Sequence, residues 1–269
     1  MTKADVIDYA IIGDDLQAVV VTLDPQEAVV AEAGAMMYMQ DGVEMGTSLS
    51  MKQEDTGIFG KLFEAGKRIV SGESFFITMF ANNAPERRDV AFAAPYPGHV
   101  VPMRLGDFGG TLMCQKDAFL CAARGVEVDI AFRKRLGTGF FGGEGFILQK
   151  VFASPDDTDA IAFLHSGGST IRHTLEVGQT LRVDTGCLVA FEPTVDYDIE
   201  FVPGITNKFF GGEGLFYVKM TGPGSVWLQT LPFSRLADKI IASAPSKGGN
   251  QKGEGSLLGG AWRMMDGRG

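Results

Sequence analysis

The chain has 269 residues, a formal net charge of −9, and a composition that is 45% hydrophobic and 21% charged. This is the composition of a soluble globular protein, and its acidic balance repels phosphate backbones, so nucleic acid is not an expected partner. Glycine supplies 36 residues, roughly twice the usual share of about 7%, which predicts many tight turns and argues against long helices.

Cysteine usage points to a reducing compartment. Cys114, Cys121 and Cys187 form an odd set without a C-x-x-C pair, so the sequence predicts neither a disulfide framework nor a structural zinc site. Aspartates interrupt the first twenty residues, and no run of eighteen apolar residues follows. We therefore expect neither a signal peptide nor a spanning helix, and a cytoplasmic protein.

The segment from Ile58 to Val70 is the one stretch with helical spacing of apolar residues. Lys61, Lys67 and Arg68 lie off its apolar face, so it is predicted to be a short amphipathic helix. Such a helix either packs on its own part of the fold or offers a docking surface to a partner or membrane. The candidate docking residues are Ile58, Phe59, Leu62 and Phe63.

Elsewhere the apolar pattern is that of β-strands. Acidic and apolar residues alternate from Gly125 to Phe132 and from Asp196 to Phe201, which predicts half-buried strands. Phe146 to Ala153 and Leu215 to Met220 are apolar on both alternations, as in strands that are covered on both faces. The expected fold class is therefore all-β, a sandwich or barrel.

A glycine-rich phrase recurs along the chain and predicts internal repetition. The phrase FFGGEG begins at Phe140 and again at Phe209, and a weaker copy, SGESFF, begins at Ser71. Its glutamates are 71 and 69 residues apart. We therefore predict one β-domain over residues 1–236, built from three units of about 70 residues (about 10–100, 101–170 and 171–236) with internal pseudo-threefold symmetry.

The repeated turn has two possible roles. Each glutamate could accept hydrogen bonds from backbone N–H groups of its own turn, a structural role that we favour. Alternatively, pseudo-symmetry could bring three carboxylates together as a cation site. The turn residues are Gly72, Glu73, Gly142, Gly143, Glu144, Gly211, Gly212 and Glu213.

The C-terminal residues 237–269 are expected to form a disordered tail. From Ser243 onward they are rich in glycine and poor in bulky apolar side chains. Such a composition buries too little surface to offset the entropy of ordering the chain.

Four phrases of the chain resemble bacterial members of the altered-inheritance-of-mitochondria, or mitochondrial biogenesis, family. They are SGESFFITMF (71–80), LGTGFFGGEGFILQKVFA (136–153), FLHSGG (163–168) and NKFFGGEGLFYVKMTGPGSVWLQTLPF (207–233). The resemblance implies a repeated β-sandwich of the kind grouped with the tryptophan RNA-binding attenuation protein. It also implies a non-enzymatic role, since the mitochondrial relatives look like organisers of inner-membrane complexes, and it supplies no catalytic residue.

The expected function is that of a non-enzymatic, oligomeric scaffold or partner-binding protein. Protein partners or self-association are expected, and peripheral membrane contact is an open extension. No cofactor is expected, because the G-x-G-x-x-G match at residues 137–142 is followed by a strand-like segment rather than by a helix. The alternative is a small-ligand or metal-binding protein that uses the repeated FFGGEG turns.

Overall fold

The computed structural model describes residues 3–47, 77–134, 146–201 and 216–243. Within these ranges the fold is all-β with several sheets and one short α-helix, as the sequence predicts. The strands are β1 Asp8–Ile12, β2 Ala18–Leu23, β3 Ala28–Glu32, β4 Met36–Met39, β5 Val43–Thr47, β6 Ile77–Asn82, β7 Arg88–Ala93, β8 Gly98–Arg104, β9 Thr111–Gln115, β10 Phe119–Ala123, β11 Glu127–Lys134, β12 Phe146–Phe152, β13 Ile161–Gly167, β14 Thr170–Leu175, β15 Thr180–Asp184, β16 Leu188–Phe191, β17 Asp196–Phe201, β18 Phe216–Thr221 and β19 Gly224–Gln229.

The described strands form four antiparallel sheets. Two have six strands, in the orders β5-β6-β3-β10-β13-β8 and β11-β12-β9-β16-β19-β14. A four-stranded sheet has the order β1-β2-β7-β4, and a three-stranded sheet has the order β15-β18-β17. Each six-stranded sheet therefore combines strands from separate parts of the chain.

Most individual strand predictions agree with the structure. The exception is the strand predicted over Leu215–Met220, for which the sequence predicts cover on both faces, whereas in β18 only Val218 and Met220 are buried. The strand predicted from Phe146 is β12, and its first four residues are buried, as expected for a strand covered on both faces. The strand predicted over Asp196–Phe201 is β17, with the same bounds. The alternating segment from Gly125 becomes β11, which begins at Glu127 because residues 124 and 125 form a turn.

The core consists of aliphatic and aromatic side chains from the sheet interiors. Phe163 on β13 is fully buried, and its ring meets that of Tyr9 edge-on at a centroid distance of 4.8 Å. Phe80 and Phe92 pack in the same way at 5.2 Å. These contacts join β1 to β13 and β6 to β7, so they hold different sheets together.

Three chain segments meet beside the starts of β2, β8 and β14. Leu16, Gly98 and Gly168 are joined by parallel bridges, from Leu16 to Gly98 and from Gly98 to Gly168. The N–H of Gln17 donates to the carbonyl of Gly98 at 3.0 Å. The approach is so close that a Cβ atom at Gly98 would lie 2.5 Å from the imidazole Nε2 of His165.

One α-helix, α1 Phe233–Ser243, follows the last strand. The sequence analysis ended the β-domain at residue 236 and assigned everything after it to a tail, whereas the helix continues to Ser243. Apolar residues recur along it with helical spacing, and the glycine-rich stretch begins after it. By its contacts the chain divides into one unit that ends at Ser234 and another that begins at Arg235.

We expect Gly98→Ala to lower the free energy of unfolding by about 1–3 kcal/mol, the usual cost of overpacking. The added methyl group would meet the carbonyl oxygen of Ser166, the ring of His165 and the Cα of Gly167. Urea denaturation followed by circular dichroism measures the change. Ser169→Ala, at a nearby exposed position, is the control and should change stability by less than about 0.5 kcal/mol. Equal stability of the two variants would contradict the close approach.

Candidate functional site

The functional residues predicted from the sequence lie outside the described parts of the chain. This holds for the turn residues Gly72, Glu73, Gly142, Gly143, Glu144, Gly211, Gly212 and Glu213, and for Ile58, Phe59, Leu62 and Phe63. The neighbouring strands are described, however, and their registers are informative. Met79, Lys150 and Lys219 lie opposite Val30, Met113 and Arg182, and each follows one of the three glutamates by six residues.

Three segments of equal length share one backbone design. Residues 28–43, 111–126 and 180–195 each contain a strand, a short turn and a second strand. Each ends with a valine whose N–H donates to the carbonyl three residues earlier, at 3.0–3.1 Å. The valines are Val43, Val126 and Val195.

The second strand of each segment also carries a bulge at the same place. The register with the neighbouring strand shifts between Met36 and Tyr38, between Phe119 and Cys121, and between Leu188 and Ala190. A bulge adds one residue to a strand and increases its local twist. The three segments therefore bend in the same way at matching positions.

Pairing between consecutive segments builds both six-stranded sheets. In the first joint, β10 pairs with β3 and places Cys121 opposite Ala31. In the second joint, β16 pairs with β9 and places Ala190 opposite Cys114. All four side chains are small and completely buried, so the two backbones form the ladder without a steric obstacle.

Two matching strands remain at sheet edges. β4 is the second strand of the first segment and ends the four-stranded sheet, while β15 is the first strand of the third segment and ends the three-stranded sheet. Neither strand has a ladder partner on its outer side among the described residues. Their counterparts in the other segments form the joints.

The free β4 edge is apolar and exposed. Met37, Tyr38 and Met39 are 55%, 43% and 39% exposed, and Met45 on the following strand is 54% exposed. We call these four residues the methionine edge. The residues of β10 that match Met37, Tyr38 and Met39 are at most 2% exposed, because β3 covers that side of the strand.

The methionine edge has the properties of a protein-binding surface. An unpaired strand offers backbone N–H and C=O groups to a strand of another chain. Methionine adapts its shape to different apolar partners, and exposed apolar patches of this kind mark interaction sites. β4 contains neither the lysine nor the proline that often protects an edge.

Burial shifts the pKa values of two titratable groups toward their neutral forms. Burial raises the pKa of Glu32 to about 7, with a further increase from Asp117 and an opposing effect of Lys116. Burial lowers the pKa of His165 to about 4, and its ring packs edge-on against Tyr96 at 4.5 Å. A hydrogen-bonding interaction with the backbone of Tyr96 opposes this decrease in pKa. The described residues contain no group of three or more His, Cys, Asp or Glu side chains placed to hold a metal ion.

Comparison with known proteins identifies the family of the chain. The model of the family described as "Mitochondrial biogenesis AIM24" matches residues 9–231. The chain belongs to this family. This agrees with the resemblance carried by the glycine-rich phrases.

A relative and a solved structure come from Streptococcus pyogenes. An uncharacterized protein of serotype M6 is 29% identical over 227 residues, which cover 84% of this chain and 86% of that protein. A crystal structure of an S. pyogenes protein has a TM-score of 0.67 and 23% identity, and the match covers 88% of this chain and all of that one. The crystal structure shows that this fold occurs in a solved protein, and neither protein has a stated activity. Among the described helices, none is long and apolar enough to cross a membrane.

The sequence analysis did not single out the methionine edge. The available signal is the run Met36–Met39, four large side chains at positions where the matching strands carry Phe-Leu-Cys-Ala and Leu-Val-Ala-Phe. Alternation alone did not reveal it, because fully buried strands and exposed apolar strands have the same apolar pattern.

We expect Glu32→Gln to stabilise the protein at pH 8 and to leave its stability unchanged near pH 4. Between its unfolded pKa of 4.5 and its folded pKa of about 7, Glu32 binds a proton more tightly in the folded state. Stability is therefore lost as the pH rises through this interval, by about 2–3 kcal/mol for this difference in pKa. Gln115 holds the matching position in the second segment and is buried, so an amide fits this site. Urea denaturation of both proteins at pH 4, 6 and 8 measures the effect, and a pH-independent difference would contradict it.

Proposed function

We propose that the protein is a non-enzymatic, oligomeric scaffold or partner-binding module built from three repeated β-units. The observation that carries this proposal is the methionine edge. It is an exposed apolar strand edge, whereas the matching edges of β10 and β16 are paired with β3 and β9. The relatives have no stated activity, and His165 is buried, with a pKa that burial lowers to about 4. A role in contact with other proteins fits these features better than a chemical step.

The strand pairings support three repeats. If β1 is set aside, the described strands form three runs of six: β2–β7, β8–β13 and β14–β19. In each run the sixth strand pairs with the first and the third, and the fifth strand pairs with the second and the fourth. We propose that these runs are pseudo-threefold equivalents and that Leu16, Gly98 and Gly168 mark their common axis.

The proposed setting is the cytoplasm. None of the three cysteines forms a disulfide bond, and Cys114 and Cys121 are completely buried. Burial raises the pKa of both thiols far above its usual range, so they are unreactive. Contact with membrane-associated complexes is an extension of the same proposal, in which the partner rather than this chain carries the membrane anchor.

A second candidate function is binding of a metal ion or another small ligand by the repeated FFGGEG turns. The observation that favours it is the strand register of Met79, Lys150 and Lys219, which occupy matching positions of β6, β12 and β18. In the sequence, Glu73, Glu144 and Glu213 each precede one of these positions by six residues. Three equivalent carboxylates around one axis would suit a hard cation. Elemental analysis of protein purified without added metal tests this candidate directly.

We expect the wild-type protein either to have a molecular mass greater than that of one chain in solution or to bind another protein. We expect Tyr38→Lys to abolish that association. A lysine on an edge strand opposes pairing with a further strand, because its charge must stay solvated. Light scattering coupled to gel filtration measures the mass, and circular dichroism checks that the variant is folded.

Val177→Lys is the matched control, since Val177 is 83% exposed and lies outside the strand edges. It should leave the association unchanged. A wild-type monomer that retains no partner on affinity purification would contradict the scaffold proposal. A stoichiometric metal ion that is lost in Glu144→Gln would favour the second candidate instead.

A further inference from the structure

We propose that β15 pairs with β4 of the same chain in a closed state that covers the methionine edge, so that a partner binds this edge only while the joint is open. The closed ladder places Tyr38 opposite Val183 and Met39 opposite Arg182. This inference rests on the proposed scaffold function, because it describes how the chain regulates access to its own binding edge.

The strand order of the sheets assigns β15 to this edge. Each six-stranded sheet contains the fourth, fifth and second strands of one run, followed by the third, sixth and first strands of the next run. The three-stranded sheet contains the fourth, fifth and second strands of the last run. The four-stranded sheet contains the third, sixth and first strands of the first run, with β1 added at its edge. Pairing of β15 with β4 therefore completes a third sheet with the order of the other two.

The bridges near the proposed axis are interrupted at the same interface. Leu16 is bridged to Gly98, and Gly98 is bridged to Gly168, which connects the first run to the second and the second to the third. Within the described part of the chain, no bridge connects Gly168 back to Leu16, and no ladder connects β15 to β4. The structure therefore shows the third joint in its open state, with both of its edges on one chain.

The register of the closed joint follows from the two joints that are formed. In the first joint Cys121 lies opposite Ala31, and the second joint repeats this register. Tyr38 occupies the position of Cys121 in its own segment, and Val183 occupies the position of Ala31. The same backbone pairing therefore gives a ladder in which Tyr38 lies opposite Val183.

One difference in side-chain size makes this joint weaker than the other two. The matching pairs of the formed joints consist of alanine and cysteine, which are completely buried. In the third joint the pair is Tyr38 and Val183, so closure has to bury a larger ring together with a hydroxyl group that needs a hydrogen-bond partner. The joint therefore opens more easily than the others, and a partner strand competes with β15 for β4.

Two features favour closure over a permanently free edge. The backbone N–H and C=O groups on the outer sides of β4 and β15, which have no ladder partner among the described residues, gain partners in the closed ladder. Arg182 is exposed and lies 3.3 Å from the carboxylate of Glu200. In this register it also lies diagonally across from Asp41, an exposed acidic residue. Opposite charges therefore meet across the closed joint.

A disulfide bond across the closed joint tests the inference. Met39→Cys/Arg182→Cys is made in a Cys187→Ala background, which removes the partly exposed natural thiol, and is oxidised at low protein concentration with glutathione disulfide. Directly opposed residues of antiparallel strands lie close enough for this bond. We expect a single chain that has lost both introduced thiols, as measured by mass spectrometry. Met39→Cys/Val177→Cys is the control and should stay reduced, because Val177 lies outside the strand edges.

Access to the methionine edge is then measured on the disulfide-bonded chain. Met37 and Met45 are 55% and 54% exposed, so hydrogen peroxide should oxidise both at similar rates in the Cys187→Ala chain. In the disulfide-bonded chain we expect Met37 to be protected and Met45, which lies on β5, to react as before. The association measured for the wild-type protein should be lost in the disulfide-bonded chain and return after reduction, although both forms carry the same substitutions.

Three results would count against the inference, and they are distinct from failure of the scaffold function. Absence of an intrachain disulfide, or a covalent dimer in its place, would overturn closure within one chain. An intrachain disulfide that leaves Met37 as reactive as Met45, or leaves the association unchanged, would overturn the regulation of the edge while the scaffold function stands. A wild-type protein that is monomeric and binds no partner would overturn the scaffold function and the regulatory role together, even where the disulfide forms.

Discussion

Backbone pairing between consecutive segments is the interaction on which the rest of this fold depends. At each joint a strand of one segment completes the sheet begun by the segment before it, so that each six-stranded sheet is shared. The joints need small side chains, and Ala31, Cys121, Cys114 and Ala190 supply them. A larger residue at these buried positions would strain the ladder or displace the layer packed against it.

Linear order along the chain then leaves two strands unmatched. Three segments joined in sequence form only two joints. The second strand of the first segment and the first strand of the last segment are therefore left without a joint. These are β4 and β15. A protein that has only to be stable would cover or charge such an edge, whereas here Met37, Tyr38 and Met39 are left exposed. We therefore base the proposed function on this edge.

The polar residues in the sheet interiors are consistent with a structural role. His165, Tyr96 and Glu32 have pKa values shifted toward their neutral forms, chiefly by burial. Buried neutral groups avoid the large cost of an unpaired charge. The ring of Tyr96 packs between those of His165 and Phe233, at 4.5 and 5.4 Å. His165 is buried at this contact, while Phe233 is 51% exposed.

The amino-acid sequence by itself determined the fold class, the family and the positions of strands such as β12 and β17. These depend on local apolar patterns and on phrases that can be read directly, including the glutamate that recurs six residues before the matching positions Met79, Lys150 and Lys219. The joints and the free edges could not be predicted in this way. Met36–Met39 and Phe119–Ala122 are both short apolar runs. Among the described strands β10 lies between β3 and β13 and the second run is buried, whereas β4 has a neighbour only on its β7 side and Met37–Met39 are exposed. Exposure is a property of what packs against a strand, and residues far apart in the chain decide it.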